Sequence, residues 1–254
     1  MAIYKHDIPI LEYDDNPEAM IMNNREPVVL PKRAVCAFLG DTIDEYARQN
    51  GAEVLEVFKT IGRDTNIYRV SHKGEELCLC RAPLGSAAAV QLMDWLIGHG
   101  VQSVISAGSC GALVPLPENA FLIPTRALRD EGASYHYLPP SRYVEIPETS
   151  RNIIKEILTA HGLKYAECIT WTTDGFFRET ADMVAHRRDE GCATVEMECS
   201  ALAACAQFRG VLFGQLLYTA DSLADAANYD ERSWGEDSLA PALALCLDIA
   251  AKMP

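Results

Sequence analysis

Residues 34–50, AVCAFLGDTIDEYARQN, contain the succession of patterns that decides the fold. An apolar run, Ala34–Leu39, ends in the pair Gly40-Asp41, and residues 41–50 have helical character. A short apolar strand, a glycine turn and a helix in this order are typical of the opening of an α/β unit. The stretch therefore predicts a sheet that is covered by helices.

The rest of the chain alternates in a similar way. Further strands are predicted at 54–58, 67–70, 76–80, 102–107, 120–124, 166–171 and 211–218. Further helices are predicted at 86–98, 148–161, 196–208 and 238–251. The strand at 211–218 is almost continuously apolar, as expected where helices cover both faces of a sheet. We predict one α/β domain over residues 1–254, with a mostly parallel or mixed central sheet and an irregular, proline-punctuated arm at 1–33.

The composition restricts the class of protein. The 254 residues include 22 Lys and Arg against 36 Asp and Glu, which gives a net charge of −14. Because such a surface repels phosphate backbones and anionic lipids, we expect neither a nucleic-acid partner nor a membrane partner. No apolar run approaches the roughly 20 residues of a membrane span, and residues 1–15 lack a signal-peptide core. The nine cysteines form no CxxC pair, so we expect no metal site. We also expect their thiols to be buried and the protein to be cytoplasmic, where thiols stay reduced.

Three segments combine polar side chains with neighbouring apolar runs. In GSCGA, residues 108–112, two glycines flank a serine, so the backbone can either approach a ligand closely or form a tight turn where a strand ends. In TVEMECSA, residues 194–201, two carboxylates precede an apolar helix. They either cap that helix or, because residues two apart cannot share a helical face, one of them binds ligand hydroxyls. In YTADSL, residues 218–223, Asp221 is either a proton donor at the end of a buried strand or the N-cap of the next segment.

In this order, the three segments resemble the nucleoside phosphorylase and nucleosidase superfamily, of the purine nucleoside phosphorylase and uridine phosphorylase type. FLGD at 38–41 and DGFF at 174–177 extend the resemblance over most of residues 34–234. RDEG at 129–132, followed by SYHYLPPSR, is similar to a bacterial uridine phosphorylase-like branch. The resemblance implies a three-layer α/β/α sandwich with a central mixed β-sheet, assembled as a dimer or a trimer of dimers. It also implies cleavage of the N-glycosidic bond of a nucleoside, with phosphate or water as the acceptor.

The resemblance assigns roles to residues that match the motifs of this family. The implied nucleoside contacts are Glu198 on the ribose 2′- and 3′-hydroxyls, Met197 against the sugar, Glu196 in support, Phe176 on the base, and His6 on the 5′-hydroxyl in a neighbouring subunit. Asp221 is implied to be the general acid at the purine N7, with Arg232 supporting it. Gly40 and Ser109 are implied to contact phosphate, and Arg63 to reach the phosphate of a neighbouring subunit.

One departure from the family pattern concerns the charge available for phosphate. Phosphorylases of this family usually have arginines at the positions that Asp44 and Ser106 occupy here. An aspartate repels a phosphate dianion, so either Arg33, Arg63 or Arg81 supplies the missing charge or the acceptor is water. Arg81 is the preferred replacement because it leads from an apolar strand into a glycine turn before a helix. The other interpretation of Arg81 is an ordinary surface arginine.

From these residues we predict a nucleoside phosphorylase that releases a free base and ribose 1-phosphate, with inorganic phosphate as co-substrate and no cofactor. The alternatives are a nucleosidase on the same scaffold and a nucleoside-binding protein without turnover; the presence of both Glu198 and Asp221 argues against the latter. Asp221 favours a purine, whereas the similarity to the uridine branch favours a pyrimidine, so the base stays open. A homo-oligomer is expected if His6 and Arg63 act across a subunit interface.

Overall fold

A computed structural model describes residues 3–225 and 227–254. Ten strands lie within these residues: β1 (Arg33–Ala37), β2 (Glu53–Phe58), β3 (Thr65–His72), β4 (Glu75–Arg81), β5 (Ser103–Ala112), β6 (Phe121–Asp130), β7 (Tyr143–Glu145), β8 (Tyr165–Thr173), β9 (Cys192–Glu196) and β10 (Leu212–Ser222). The α-helices described there are α1 (Thr42–Gln49), α2 (Ser86–Gly98), α3 (Glu148–Ala160), α4 (Ala181–Asp189), α5 (Cys199–Arg209) and α6 (Leu239–Lys252). Strands and helices thus alternate along most of the chain.

The strands form one mixed sheet that is partly closed on itself. Their order is β10-β6-β8-β9-β5-β1-β4-β3-β2, with β7 on β6. β10 also pairs in parallel with β5, so that β5, β9, β8, β6 and β10 form a ring and β1, β4, β3 and β2 an open extension. Cys110, Leu122, Cys168 and Leu217, one from each of four ring strands, pack together. The ring places the carboxyl ends of several parallel strands around one small area.

Helices cover both faces of the sheet. On one face α2 and α5 bury Leu92 and Leu202 against Phe213 of β10. On the other face α1, α3 and α6 bury residues such as Ile43 and Ile154. Each fully buried apolar side chain of this size contributes about 1.5–3 kcal/mol. The fold is therefore the three-layer α/β/α sandwich with a central mixed sheet, and the predicted fold class is confirmed. No helix within the described ranges is long and apolar enough to cross a lipid bilayer.

The predicted helices agree with the structure where an apolar face repeats over several turns. α2 has the predicted bounds, α3 ends one residue earlier than predicted, and α6 is shifted by one residue at both ends. α4 and β9 are absent from the prediction. α4 buries only Val184 and Arg187, so it has little apolar periodicity to detect. β9 has only five residues, and the predicted helix at 196–208 includes the last of them, Glu196.

The structure excludes one interpretation of the first and third polar segments and shifts the start of the helix predicted in the second. Residues 108–112 do not form a turn, because β5 continues to Ala112 between β10 and β9. The predicted helix at 196–208 begins only at Cys199, and Glu196 is the last residue of β9, opposite Thr172 of β8. Asp221 lies inside β10, so its interpretation as an N-cap is wrong.

The amino-terminal arm, residues 3–32, lies on α2 and α5. Asp94 of α2 accepts a hydrogen bond from Asn23 Nδ2 at 2.7 Å. Asp94 also binds Arg209 of α5 at 2.8 Å, and Arg209 in turn donates to the Pro17 carbonyl at 2.8 Å. The same ion pair that joins two helices therefore also holds the arm in place.

On the other face of the sheet, Asp248 of α6 joins three parts of the fold. Its carboxylate contacts His72 Nε2 of β3 at 2.6 Å, His161 Nε2 after α3 at 2.8 Å, and Lys73 Nζ between β3 and β4 at 2.8 Å. Burial alone would raise the pKa of Asp248, but hydrogen bonds from Lys73, His72 and His161 outweigh burial and hold the pKa well below its usual value. Because the pKa is depressed in the folded state, the cluster contributes stability above the unfolded pKa and loses it as the pH falls.

We expect Asp248→Asn to lower the free energy of unfolding by about 2 kcal/mol at neutral pH, because three donors lose a charged acceptor. The difference from wild type should shrink as the pH falls below about 4, where the unfolded carboxyl is protonated. Urea denaturation followed by circular dichroism at several pH values measures both effects. Asp7→Asn removes an exposed carboxylate and serves as the control; equal effects of the two substitutions would contradict the assignment.

Candidate active site

A cleft at the carboxyl ends of β5, β9 and β10 contains two adjoining cavities. The central cavity, of about 140 Å³, lies between these strand ends and the start of α5. Its lining includes Ser109, Phe176, Glu196, Met197, Glu198 and Asp221. The outer cavity, of about 470 Å³, shares Phe176, Asp221 and Trp234 with the central one. Six residues that the sequence singles out at four separate places are thus brought to one cavity.

Glu198 stands directly before α5 and is buried. Its Oε1 accepts a hydrogen bond from the Gly85 N–H at 2.6 Å, and the Ser86 hydroxyl donates to the Met197 carbonyl at 2.5 Å. These contacts join the start of α2 to the start of α5. Burial, together with the negative charge of Glu196, raises the pKa of Glu198 to about 8. The carboxyl group therefore faces the cavity from a fixed position and has capacity to accept further hydrogen bonds.

Glu196 has a capping role that the sequence left open. Its Oε2 accepts hydrogen bonds from the backbone N–H groups of Glu198 at 2.8 Å and Cys199 at 2.7 Å. Its Oε1 accepts one from the Thr172 hydroxyl at 2.6 Å. Burial raises the pKa of Glu196, although these hydrogen bonds oppose that shift. A carboxylate at this place satisfies free amide groups of the helix and interacts favourably with the helix dipole.

Asp221 approaches the cleft from β10 and is also buried. The Tyr229 hydroxyl donates to its Oδ2 at 3.1 Å. Burial raises the pKa of Asp221, while the Tyr229 hydrogen bond and the Arg232 charge partly oppose this effect. An aspartic acid whose pKa is raised in this way can donate a proton nearer to neutral pH than an exposed one can.

Glu179 is a further acidic residue of the cleft, for which the sequence analysis offers no role. It lines both the central and the outer cavity and makes no hydrogen bond through its side chain in the described structure. Burial, together with the charge of Asp221, raises the pKa of Glu179 to about 7. A charged residue two positions after the aromatic pair Phe176-Phe177 was the only local signal, and it does not distinguish a cavity residue from a surface one.

The glycines of residues 108–112 serve close packing at the cleft. A Cβ atom on Gly108 would lie 3.3 Å from Cβ of Phe38, which covers this part of β5. A Cβ atom on Gly111 would lie 2.8 Å from Leu223 Cδ1 and 3.2 Å from Asp221 Oδ1. Only glycine therefore leaves the Asp221 carboxyl in its observed position without a shift of its neighbours.

A third cavity, of about 360 Å³, contains the arginines of the cleft and is called the basic cavity here. It is lined by Gly40, Arg63, Thr65 and Arg81, and it shares Phe38 and Leu84 with the central cavity. The family resemblance associates Gly40 and Arg63 with phosphate, and the position of Arg81 before a glycine turn makes it the candidate replacement for a missing arginine. The structure therefore places them together, beside the cavity that contains Ser109.

Acidic partners already bind both arginines. Arg81 forms an ion pair with Asp41 and lies 3.9 Å from Asp44. Arg63 Nη2 lies 3.5 Å from Asp44 Oδ2, and the Tyr68 hydroxyl donates to Asp44 at 2.9 Å. Any anion in the basic cavity would compete with these carboxylates for the guanidinium groups.

Two residues with implied roles lie elsewhere in the described chain. Arg232 Nη2 donates to the Leu116 carbonyl at 2.8 Å and forms no hydrogen bond with Asp221, on which it acts through its charge alone. His6 lies in the exposed arm, where its Nδ1 accepts a hydrogen bond from the Ile8 N–H at 2.9 Å. The contact proposed for His6 involves a neighbouring subunit, so the fold of one chain does not bring it to the cleft.

The layered fold and the carboxyl-lined cleft at its strand ends define an α/β protein with a site for a small molecule. A model of the phosphorylase superfamily matches residues 32–251. The chain belongs to this superfamily, as the sequence motifs suggest.

Comparison with individual proteins gives more distant similarities. A guanosine phosphorylase from Halorubrum lacusprofundi is 25% identical over 158 residues, which cover 61% of this chain and 64% of that protein. The chain thus spans somewhat less than two thirds of this curated relative. A uridine phosphorylase structure from Vibrio fischeri has a TM-score of 0.73 at 20% identity, covering 93% of this chain and 97% of that one. An AMP nucleosidase structure from Bacteroides thetaiotaomicron has a TM-score of 0.70 at 21% identity, covering 88% and 89%. These structures show a shared fold, and the proteins that share it include both a phosphorylase and a nucleosidase.

We expect Gly111→Ala to lower the free energy of unfolding by about 1–3 kcal/mol, because the new methyl group overlaps Leu223, Val195 and Asp221. Thermal or urea denaturation measures this change. Gly132→Ala is the matched control, since the nearest atom to its Cβ would be Asp174 Oδ2 at 3.8 Å, an ordinary contact. Similar losses in both variants would show that close packing at Gly111 is not the cause.

Proposed function

We propose that the protein cleaves the N-glycosidic bond of a purine nucleoside and transfers the sugar to inorganic phosphate. The observation that carries the proposal is that Glu198 and Asp221, from different elements, line one cavity. A carboxylate accepts the hydrogens of a sugar diol, and a protonated carboxyl beside a leaving base supplies its proton. Membership of the phosphorylase superfamily supports the same chemistry.

In the proposed reaction the sugar occupies the central cavity, with its 2′- and 3′-hydroxyls on Glu198 and its ring against Met197. The base extends into the outer cavity beside Phe176. The C1′–N9 bond breaks with its electron pair on the base, N7 takes the proton of Asp221, and a phosphate oxygen forms the new bond to C1′. The sugar is positively charged in the transition state, so the carboxylates around it stabilise that state.

Three observations support a purine base. Asp221 has a raised pKa in the cleft, and purines offer N7 as a place for its proton. Glu179, which has no hydrogen-bonding partner in the described structure, stands in the same part of the cleft and can accept from an N–H group of the base. The relative from Halorubrum carries the name guanosine phosphorylase, which also favours a purine.

Phosphate is proposed to bind in the basic cavity, against Gly40, Arg63 and Arg81, with Ser109 on the side of the sugar. The shared residues Phe38 and Leu84 put this cavity next to the central one, where C1′ would lie. No resident cofactor or metal is needed for this reaction. Phosphate is a co-substrate in the proposal and leaves as part of ribose 1-phosphate.

Hydrolysis is the second candidate, and a specific observation favours it. The central cavity carries the carboxyl groups of Glu179, Glu196, Glu198 and Asp221, and no Lys or Arg is among the described residues that line it. The arginines of the basic cavity already have acidic partners. Water, unlike a phosphate dianion, is not repelled by such surroundings.

A homo-oligomer, with His6 acting on a neighbouring subunit's substrate, completes the proposal, and His6 lies on the exposed arm. Arg63 is proposed to act in the basic cavity of its own chain, in place of the contact with a neighbouring subunit that the resemblance implies. We also propose a cytoplasmic protein without nucleic-acid or membrane partners, which the net charge of −14 supports.

Incubation of the purified protein with purine and pyrimidine nucleosides, with and without phosphate, tests the reaction. We expect release of a free purine and ribose 1-phosphate only when phosphate is present. Free ribose at an undiminished rate without phosphate would favour hydrolysis, and no release from any nucleoside would overturn the whole proposal.

Asp221→Asn should keep nucleoside binding and lower kcat by about 100-fold or more, because the leaving base no longer receives a proton. Steady-state kinetics and calorimetric titration separate the two effects. Asp237→Asn, at an exposed position after β10, is the control and should retain full turnover. Full turnover in Asp221→Asn would remove this residue from the mechanism.

Nucleoside binding should strengthen as the pH rises through about 8, because burial raises the pKa of Glu198 to that value and its ionised form accepts hydroxyl hydrogens. Calorimetric titration between about pH 6 and 9 measures this dependence. Glu198→Gln should bind weakly at every pH, whereas Glu179→Gln should keep the rise near pH 8. A rise that persists in Glu198→Gln would assign the titration to another group.

A further inference from the structure

Two adjacent buried polar side chains, one of which lines the central cavity, have no role in the mechanism described so far. Ser106 of β5 and Gln215 of β10 are paired in register and are 0% and 1% exposed. Neither Ser106 Oγ nor Gln215 Oε1 has a hydrogen-bond partner among the residues that the structure describes, and both atoms are inaccessible to bulk solvent. A buried polar group without a partner destabilises the folded protein, so a pair of them at one place indicates a ligand.

The pair faces the side of the sheet on which the sugar is proposed to bind. Val104 and Phe213, two residues before Ser106 and Gln215, both belong to the core under α2 and α5. Side chains two apart in a strand share a face, so Ser106 and Gln215 face the same helices. Gln215 lines the central cavity together with Glu198, which stands at the start of α5.

The chemistry of these groups selects the kind of ligand atom that fits between them. A glutamine amide offers two hydrogens and an acceptor oxygen, whereas an ionised Glu198 offers acceptors only. A sugar with adjacent hydroxyls matches both, since one hydroxyl can donate its hydrogen to the unpaired Gln215 Oε1 and the other can donate to the Glu198 carboxylate. A phosphate oxygen can only accept, and the four carboxyl groups of the cavity would repel its charge.

We propose that Gln215, backed by Ser106, binds a sugar hydroxyl of the nucleoside together with Glu198. The inference rests on the proposed function and adds a residue that determines which sugar is accepted. Gln215 Oε1 accepts the hydrogen of this hydroxyl, and Glu198 accepts that of an adjacent hydroxyl of the sugar. Nucleosides that lack the hydroxyl leave Gln215 Oε1 unpaired, so the site discriminates against them.

The test compares wild type with Gln215→Met, which keeps the length of the side chain and removes its hydrogen-bonding groups. KM is measured for a ribonucleoside and for its 2′-, 3′- and 5′-deoxy analogues. We expect KM to rise about tenfold for the ribonucleoside and for two of the analogues, and to change less than about twofold for the third, which already lacks the bound hydroxyl. Ser106→Ala should show the same selectivity with a smaller rise.

Two controls separate binding from folding. Gln207→Met changes an exposed glutamine of α5 and should leave every KM unchanged. The Tm of Gln215→Met should equal or exceed that of wild type, because no hydrogen bond within the protein is lost. A lower Tm together with an equal rise for all four substrates would show a structural role and overturn the inference.

The remaining outcomes also decide the question. An equal rise for all substrates at an unchanged Tm would indicate a bound water molecule in place of a sugar hydroxyl, and a rise confined to the KM for phosphate would indicate an anion site. Either result, or no rise at all, overturns the inference while leaving nucleoside cleavage intact. Failure of the wild-type protein to bind or cleave any nucleoside would instead overturn the proposed function.

Discussion

The contact between the Glu196 carboxylate and the amino end of α5 is the interaction on which the geometry of the cleft depends. Glu196 is held on β9 by Thr172 of the neighbouring strand, and its other oxygen accepts from two N–H groups at the helix start. The helix therefore begins at a fixed distance from the sheet. Glu198, two residues further on, is turned toward Gly85 and the central cavity. The starts of α2 and α5 are thus fixed relative to each other by carboxyl groups and backbone amides.

The charges of the cleft are separated into two regions. Four carboxyl groups surround the central cavity, and the arginines lie in the basic cavity beyond Phe38 and Leu84. A sugar that becomes positively charged is stabilised in the first region, and an anion is attracted to the second. With a net charge of −14 the protein as a whole repels anions, so the local arrangement of Arg63 and Arg81 determines whether phosphate is held. Because these arginines pair with Asp41 and Asp44, any anion would compete with the carboxylates for them.

The sequence predicts the fold well where burial produces a regular pattern. The bounds of α2 follow from apolar residues repeated on a helical face, and the apolar run of β10 indicates a strand covered on both sides. Prediction fails where the neighbouring chain segments decide the conformation. Residues 108–112 contain two glycines and resemble a turn, yet pairing with β10 and β9 keeps them in a strand. Glu196 precedes an apolar helix, yet pairing with β8 makes it the end of a strand.

The order of motifs along the chain was sufficient to indicate the superfamily. It also selected, as candidate site residues, Glu198, Asp221, Phe176 and Ser109. This was possible because a residue type at a fixed position after an apolar run is a local property of the sequence. The closure of the sheet, the partners of Arg63 and Arg81 and the positions of Glu179 and Gln215 were decided by the tertiary structure alone. These features depend on which distant strands become neighbours. The type of a single residue does not indicate which distant segments will lie beside it. A glutamine inside an apolar strand is an exception to a pattern in the sequence; only in the folded protein does it lie beside Ser106, in the cavity that Glu198 also lines, with its Oε1 as an unpaired acceptor.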